Sequence, residues 1–398
     1  MLLSTNQQLG YCTNVHPYDS LPGLLATLGE EPAQLRRRLV ETGRLGDDET
    51  LGVGLWLPGA VATEVARDAA PLRDALAQHG LHAFTVNAFP YGDFHAGRVK
   101  DEVFRPTWAE AKRVDYTLDA ATALAALLPE GAVGSVSTHT GGYKPWGDDA
   151  PTEDAITDGF LRAADGLSQL EADSGRRVVL AMEPEPLSFL ETTPEVVSFF
   201  ERRIAPAGDA ARRHLGICFD ACHQAVQYED MAAALAALRA AGVPIAKVQL
   251  SSAIRVADPA RHLAALQPWA EDRWFHQVVA RGTDGSLERI ADLGEALGDE
   301  DAAGRAAEWR IHFHVPLFAQ SLDEAGGLGT TQDDLAALLA LVADASVTPH
   351  LEIETYSFAM IPADRRAALG ADTLAACLEH EFAWVLDQLS SRRAAESR

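Results

Sequence analysis

Short apolar runs rich in β-forming residues recur along the chain, each followed by a stretch whose apolar positions fall at helical spacing. The runs are QQLGYCTNV (7–15), TLGVGLWL (50–57), HAFTVNAF (82–89), AVGSVST (132–138), RVVLAM (177–182), HLGICF (214–219), IAKVQL (245–250), WRIHFHV (309–315) and HLEIET (350–355). Intervening segments such as PGLLATLGEEPAQLRRRLVETG and MAAALAALRAAGV carry apolar residues on one helical face and close near a glycine. This alternation predicts parallel strands joined by crossover helices, hence either an open doubly wound sheet or a closed (β/α)8 TIM barrel. No GxGxxG turn follows the first strand, and the number of units suits a barrel, so the expectation is an α/β fold in which residues 1–398 form a single TIM-barrel domain. Nine runs are one too many. The surplus falls at 252–315, a charged, loop-rich insertion before the last strand, where WRIHFHV is expected as a hairpin or long loop over the barrel mouth. No low-complexity linker and no internal repeat beyond the βα rhythm interrupts the chain.

In such a barrel the active site is built from the C-terminal ends of the strands. Polar residues collect at those ends: Asn14 and His16 after the first strand, Asn87 after the third, His139 after the fourth, Glu183 and Glu185 (AMEPEP) after the fifth, Asp220 and His223 (CFDACH) after the sixth, and Gln249 in the seventh. His312 and His314 (HFHVP) lie in the insertion, and Glu352 and Glu354 (LEIETY) in the last strand. Singly, a strand-end glutamate is usually a cap or a surface ion-pair partner, and a lone histidine is usually a satisfied core residue. Together they would converge on the barrel axis, where uncompensated charge is too costly to leave bare. A divalent metal (Mn, Mg or Zn) resolves that cost, the alternative being a purely hydrogen-bonded polar cluster. Period-two geometry lets both members of Glu183/Glu185, Glu352/Glu354 and His312/His314 face inward. The proline after Glu183 ends the ladder there, making Glu183 the ligand and placing Glu185 one step outward toward substrate.

Lysine is scarce: the chain has four lysines against 29 arginines. Lys100 follows the loop 88–108 and Lys144 sits in GGYKPW, where a compact ammonium suits a substrate oxygen. The loop 88–108 is long and aromatic, and is expected to be a lid over a small polar substrate.

A hydrophobic content of 47% is that of a globular core. No apolar stretch reaches the ~20 residues needed to cross a bilayer, and the N-terminus lacks the features of a signal peptide, so a cytoplasmic protein without membrane insertion is expected. Four scattered cysteines argue against a disulfide framework, and Cys218 and Cys222 do not have zinc-type spacing. A formal charge of −25 disfavours nucleic acid as a partner.

A strand-end glutamate, then DxxH, then HxH, then a final strand glutamate resembles the xylose isomerase-like TIM barrels, which include ketose 3-epimerases, inosose-type isomerases and dehydratases, and endonuclease IV. YCTNVHP, LWLP, FPYGDFH, STHTGGYKP, MEPEP, HFHVP and LEIETY, in that order over nearly the whole chain, are similar to the EboE-type metabolite traffic proteins. The resemblance implies metal ligands at Glu183, Asp220 and Glu354. Its strand-seven histidine is replaced here by Gln249, whose amide oxygen still suits a hard cation, with His312 or His314 supplying an imidazole. The trinuclear zinc pattern of the endonucleases requires Asp-x-His where this chain has His312-x-His314, so the resemblance implies one metal or at most a pair. The implied activity is isomerisation or epimerisation of a sugar or cyclitol, with Glu183 and Glu354 as the two catalytic carboxyls. His16, Asn87, Lys100, His139, Lys144, Glu185 and His223 are then expected around the substrate, His223 alternatively as a further ligand. Phosphoester hydrolysis and non-catalytic metabolite handover are the competing expectations.

Overall fold

The computed structural model describes residues 1–396 except 5, 6, 96 and 345. Eight parallel strands close a barrel: β1 Gln7–Cys12, β2 Leu51–Trp56, β3 Leu81–Asn87, β4 Val133–His139, β5 Arg177–Glu183, β6 Leu215–Asp220, β7 Ile245–Leu250 and, after an insertion, β13 His350–Ile353. Each pairs with the next, and β13 pairs with both β7 and β1. β2 and β6 are buried along their whole length, which is why these strands read as continuous apolar runs instead of alternating ones. The crossover helices bury one stripe. In Glu153–Ser174, Ile156, Phe160, Ala163, Ala164 and Leu167 face the barrel. Thr152 caps its start by accepting from Ala155 N, Glu153 and Asp154 suit the positive end of its dipole, and Gly175 at φ 68° ends it. Among the described residues no helix is long and apolar enough to cross a membrane.

The ninth run is not a stave. It belongs to a second, antiparallel sheet made by β8 Ile254–Ala257, β9 Val278–Gly282, β10 Leu287–Ile290, β11 Ala306–Ile311 and β12 Gly329–Thr330, in the order β10-β9-β11-β8-β12. This long insertion before the last barrel strand has its own core, including Val256, Val278, Trp309, Ile311 and Phe313. It meets the loop after β3, where the Val99 and Lys100 amides donate to Arg273 O at 2.7 and 3.0 Å and Trp274 Nε1 donates to Phe94 O at 2.9 Å. HFHVP leaves β11 and returns toward the barrel, with Val315 N donating to Ser252 O.

Deep in the barrel, Lys247 of β7 and Glu352 of β13 form an ion pair at 2.6 Å, with neither side chain exposed. Gly54 of β2 makes the space, since a Cβ there would collide with Glu352 Oε1. Removing one partner strands a buried charge, so Lys247→Met and Glu352→Leu should each lower the unfolding free energy by about 3–5 kcal/mol. The double variant should recover most of that loss in denaturant titrations. Additive losses would mean the two groups are stabilised separately.

Candidate metal and catalytic site

Asp220 ends β6 and begins the helix Ala221–Val226, so a single carboxylate closes the strand and caps the helix. Its Oδ1 accepts from His223 N at 2.9 Å and Ser251 Oγ at 2.8 Å, while its Oδ2 has no partner. The helical turn carries His223 back to the same side. His223 Nε2 lies 3.0 Å from His312 Nε2, which lies 3.2 Å from His314 Nε2. Oxygens of Glu183, Asp220 and Glu354 come within 4.8 Å of one another, and Asp220, His223 and His314 form a second such group. Both groups are buried at the C-terminal ends of the strands, where Glu183, Glu354 and the three imidazoles border a small cavity.

The carboxyl groups there are unequally served. Glu354 Oε1 accepts from Asn14 Nδ2 at 2.7 Å and Asn87 Nδ2 at 3.1 Å, and Glu185 Oε1 accepts from Gln277 Nε2 at 3.0 Å. Glu183 Oε2, Glu185 Oε2 and both polar atoms of the buried Gln249 have no partner. Gln249 stands beside Asp220 and Glu352 in the register of the sheet. Burial, reinforced by Glu354 and Asp220, holds the Glu183 carboxyl well above the usual range. Burial also pushes Glu185 and Glu354 up to about 8. The imidazoles move the opposite way, His314 down to about 4 and His312 well below its ordinary value, because burial and neighbouring imidazoles disfavour the cation. Lacking a further positive charge, the site favours the protonated forms of Glu183, Glu185 and Glu354 and neutral histidines.

The structure brings Asn87, Glu183, Glu185, His223, His312, His314 and Glu354 to this cavity, and Asp220 beneath it. Lys100 reaches its rim, but its ammonium pairs with Asp292 and lies 3.6 Å from Asp272, tying the loop to the insertion. Three expected substrate contacts do not line the cavity. Lys144 is paired with Glu191 at 2.6 Å and Glu195 at 2.8 Å on a partly exposed loop. His16 is a core residue 3.0 Å from the Tyr11 hydroxyl, its pKa driven down to about 3 by burial. His139 is beside Glu183 in register but packs against Phe89 and Phe104. Conversely, sequence reasoning missed Gln277 and the aromatic walls Trp274, Phe275 and Tyr356, whereas Phe94 comes from the aromatic loop 88–108. Tyr356 stacks on His314 with ring centres 4.7 Å apart, and Trp274 stacks on Phe94 at 5.2 Å. FHQVV (275–279) falls inside the segment expected as a loop-rich insertion, and nothing in its pattern shows which side chain turns toward the barrel.

Fold and site together define a closed parallel α/β barrel with a buried imidazole–carboxylate centre at the C-terminal mouth. No protein-family model matches the chain, and no curated protein matches it. Among solved structures, 56 chains match, and these neighbours include xylose isomerase-like barrel proteins. The chain is similar to an L-ribulose 3-epimerase at 14% identity, covering 98% of this chain and 97% of that one, with a TM-score of 0.49. It is similar to the IolI protein with a bound zinc atom at 11% identity over 97% and 99% of the two chains, TM-score 0.45. It is also similar to a family 2 AP endonuclease from Brucella melitensis at 19% identity over 61% and 78%, TM-score 0.37. The barrel assignment itself rests on the closed strand pairing.

The Asn14 amide stabilises the ionised form of Glu354. Asn14→Leu should therefore raise the Glu354 carboxyl above about 8 in metal-free protein, read by carboxyl-carbon NMR titration. An unchanged titration would assign that stabilisation elsewhere.

Proposed function

We propose that this chain is a metal-dependent enzyme that moves a proton on a small polyol ketone, a sugar or a cyclitol, and that within the xylose isomerase-like barrels it belongs with the EboE-type proteins. The observation carrying this reading is the pair Glu183 and Glu354, two buried carboxyls of raised proton affinity facing one small cavity. A general acid or base works best when its pKa lies near the working pH, and burial has moved both groups in that direction.

The donor set fits a divalent cation. Glu183 Oε2, Asp220 Oδ2 and Gln249 Oε1 are buried oxygens without partners, a costly arrangement that a cation would relieve. Glu183, Asp220, Glu354 and Gln249 would hold it, and so oxygen-rich a set suits a hard ion such as Mn²⁺ or Mg²⁺. When bound, the ion supplies positive charge that favours ionisation of a carbon next to a carbonyl.

The chain's own groups do the remaining work. Asn14 and Asn87 fix Glu354 by one oxygen and leave the other for proton exchange. Glu183, at the end of β5, supplies its other oxygen, Oε1, as the second exchanging group. Glu185, oriented by Gln277, and Asn87 would hold substrate hydroxyls. Phe94, Trp274 and Tyr356 exclude water, which strengthens every charge interaction inside.

A second reading, phosphoester hydrolysis, is favoured by one observation, the imidazoles crowded beside the carboxylates. The formal charge of −25 opposes it for polyanionic substrates.

The test is incubation with ketoses and keto-cyclitols in deuterated water. Deuterium should enter at the carbon next to the carbonyl, and Glu183→Gln and Glu354→Gln should each slow that exchange by about 10²–10⁴-fold, with metal content measured in the same samples. Undiminished exchange in both metal-loaded variants would defeat the two-carboxyl mechanism. Turnover of bis(p-nitrophenyl) phosphate without any deuterium incorporation would favour hydrolysis.

A further inference from the structure

The cavity over the carboxylates has walls unlike its floor. They are built from Phe89, Phe94, Val103, Trp274, Phe275 and Tyr356. Polar groups on those walls are largely engaged within the protein already. The Lys100 ammonium pairs with Asp292, and Trp274 Nε1 donates to Phe94 O at 2.9 Å. The Phe89 carbonyl accepts from Arg113 Nη1 at 3.1 Å, and the Pro90 carbonyl accepts from Trp56 Nε1 at 3.3 Å and from the Tyr116 hydroxyl at 3.1 Å. The Val99 and Lys100 amides both donate to Arg273 O. Of the polar side-chain atoms on the walls, this leaves the Tyr356 hydroxyl.

A free sugar or cyclitol carries hydroxyls around its whole rim. Those facing Asn87, Glu185 or the imidazoles find partners, whereas those facing the walls would lose water without gaining a partner. Stacking of a sugar's C–H face on a ring does not account for the walls, because one ring suffices for that and five line this cavity. The rings are also held in place as surfaces. Phe94 and Trp274 stack with centres 5.2 Å apart, and Phe275 stacks at 5.2 Å on Tyr143, which stacks at 5.4 Å on Phe104. Ordered aromatic faces of this kind attract a further aromatic ring beyond what burial alone provides.

We propose that the substrate is an amphipathic molecule, a sugar or cyclitol head that carries an aromatic substituent. The head meets the floor at Glu183, Glu185 and Glu354, and the aryl ring lies among Phe94, Trp274 and Phe275. The head group rests on the reading given under Proposed function, and the aryl half is what the walls add to it. Phe94 comes from the loop after β3, and Trp274 and Phe275 come from the insertion before β13. Recognition of the aryl half is thus assigned to segments outside the eight staves, while the staves supply the carboxyls beneath it.

The test compares methyl and phenyl glycosides of glucose, galactose and mannose by calorimetry on the full-length protein as purified. These ligands lack the reacting ketone, so they report binding alone. For at least one sugar the phenyl glycoside should bind about 10–100-fold more tightly than its methyl counterpart, the gain from burying a phenyl ring. Its heat capacity change on binding should also be more negative. Trp274→Ala and Phe275→Ala should each shrink the phenyl-to-methyl ratio; because both ligands are measured on one protein, a general loss of folding does not imitate that effect. Equal affinities in every pair, or no binding of any phenyl glycoside, would overturn the proposal. So would a phenyl preference left untouched when Trp274→Ala and Phe275→Ala are combined. Absent deuterium exchange alongside a phenyl preference would sink the proton transfer and leave the aryl pocket standing. Exchange on ketoses without any phenyl preference would do the reverse.

Discussion

Charge buried along the barrel axis is the constraint to which the rest of the structure answers. Glu352 and Glu354 lie two residues apart at the end of one chain segment, point to the same interior, and meet different solutions. Glu352 is met at 2.6 Å by Lys247, and the space for it exists because Gly54 lacks a side chain. One level outward no lysine is available. Glu354 is held instead by two amides, and Glu183 and Asp220 keep an oxygen each without any partner. The deep charge is thus neutralised by the protein's own lysine, although Glu352 Oε1 has no hydrogen-bond partner either, while the outer carboxyls have, among the described residues, no cation of the protein's beside them. That division between a neutralised layer and one without a counter-charge marks where structure ends and chemistry begins.

The insertion is part of the chemistry. It contributes His312, His314, Gln277, Trp274 and Phe275 to the site, and its links to the loop after β3 set the cavity walls. The barrel alone would present a carboxylate-rich floor with one imidazole, His223. Addition of the second sheet converts this into a centre with two kinds of donor. The antiparallel ladder of β9 and β11 holds Gln277 and His312 close enough for a 2.7 Å hydrogen bond, a precision that a loop anchored at its ends would not give.

Much of this was legible in the sequence. All eight staves lie in the apolar runs, because strands buried on both faces leave an unbroken signature. The strand-end carboxylates were legible for a related reason: a charged residue closing an apolar run has few innocent explanations once several do so. The expected contacts that do not line the cavity share one physical cause. His16 and His139 stand at correct strand ends but turn into packing, against Tyr11 and against Phe89 and Phe104. Lys144 sits in a correct loop but finds Glu191 and Glu195 first. Side-chain direction and competing partners are tertiary facts, and residue type with position along a strand does not encode them. Gln277 was invisible for the converse reason, since its role depends on a second sheet whose pairing has no period in common with the barrel.

The aromatic mouth and the charged floor are complementary parts of one device. Phe94, Trp274 and Tyr356 pack on one another edge to face and in stacks, and Tyr356 stacks on His314, so the floor lies against an apolar wall. In that setting a carboxyl near pKa 8 and a neutral imidazole are two responses to one desolvation, each group having moved toward its uncharged form. A dication reverses the sense of the field for the carboxyls and leaves the imidazoles in the state they already hold. A cation at Glu183 and Glu354 would therefore displace protons from them, a consequence of burial that precedes any substrate.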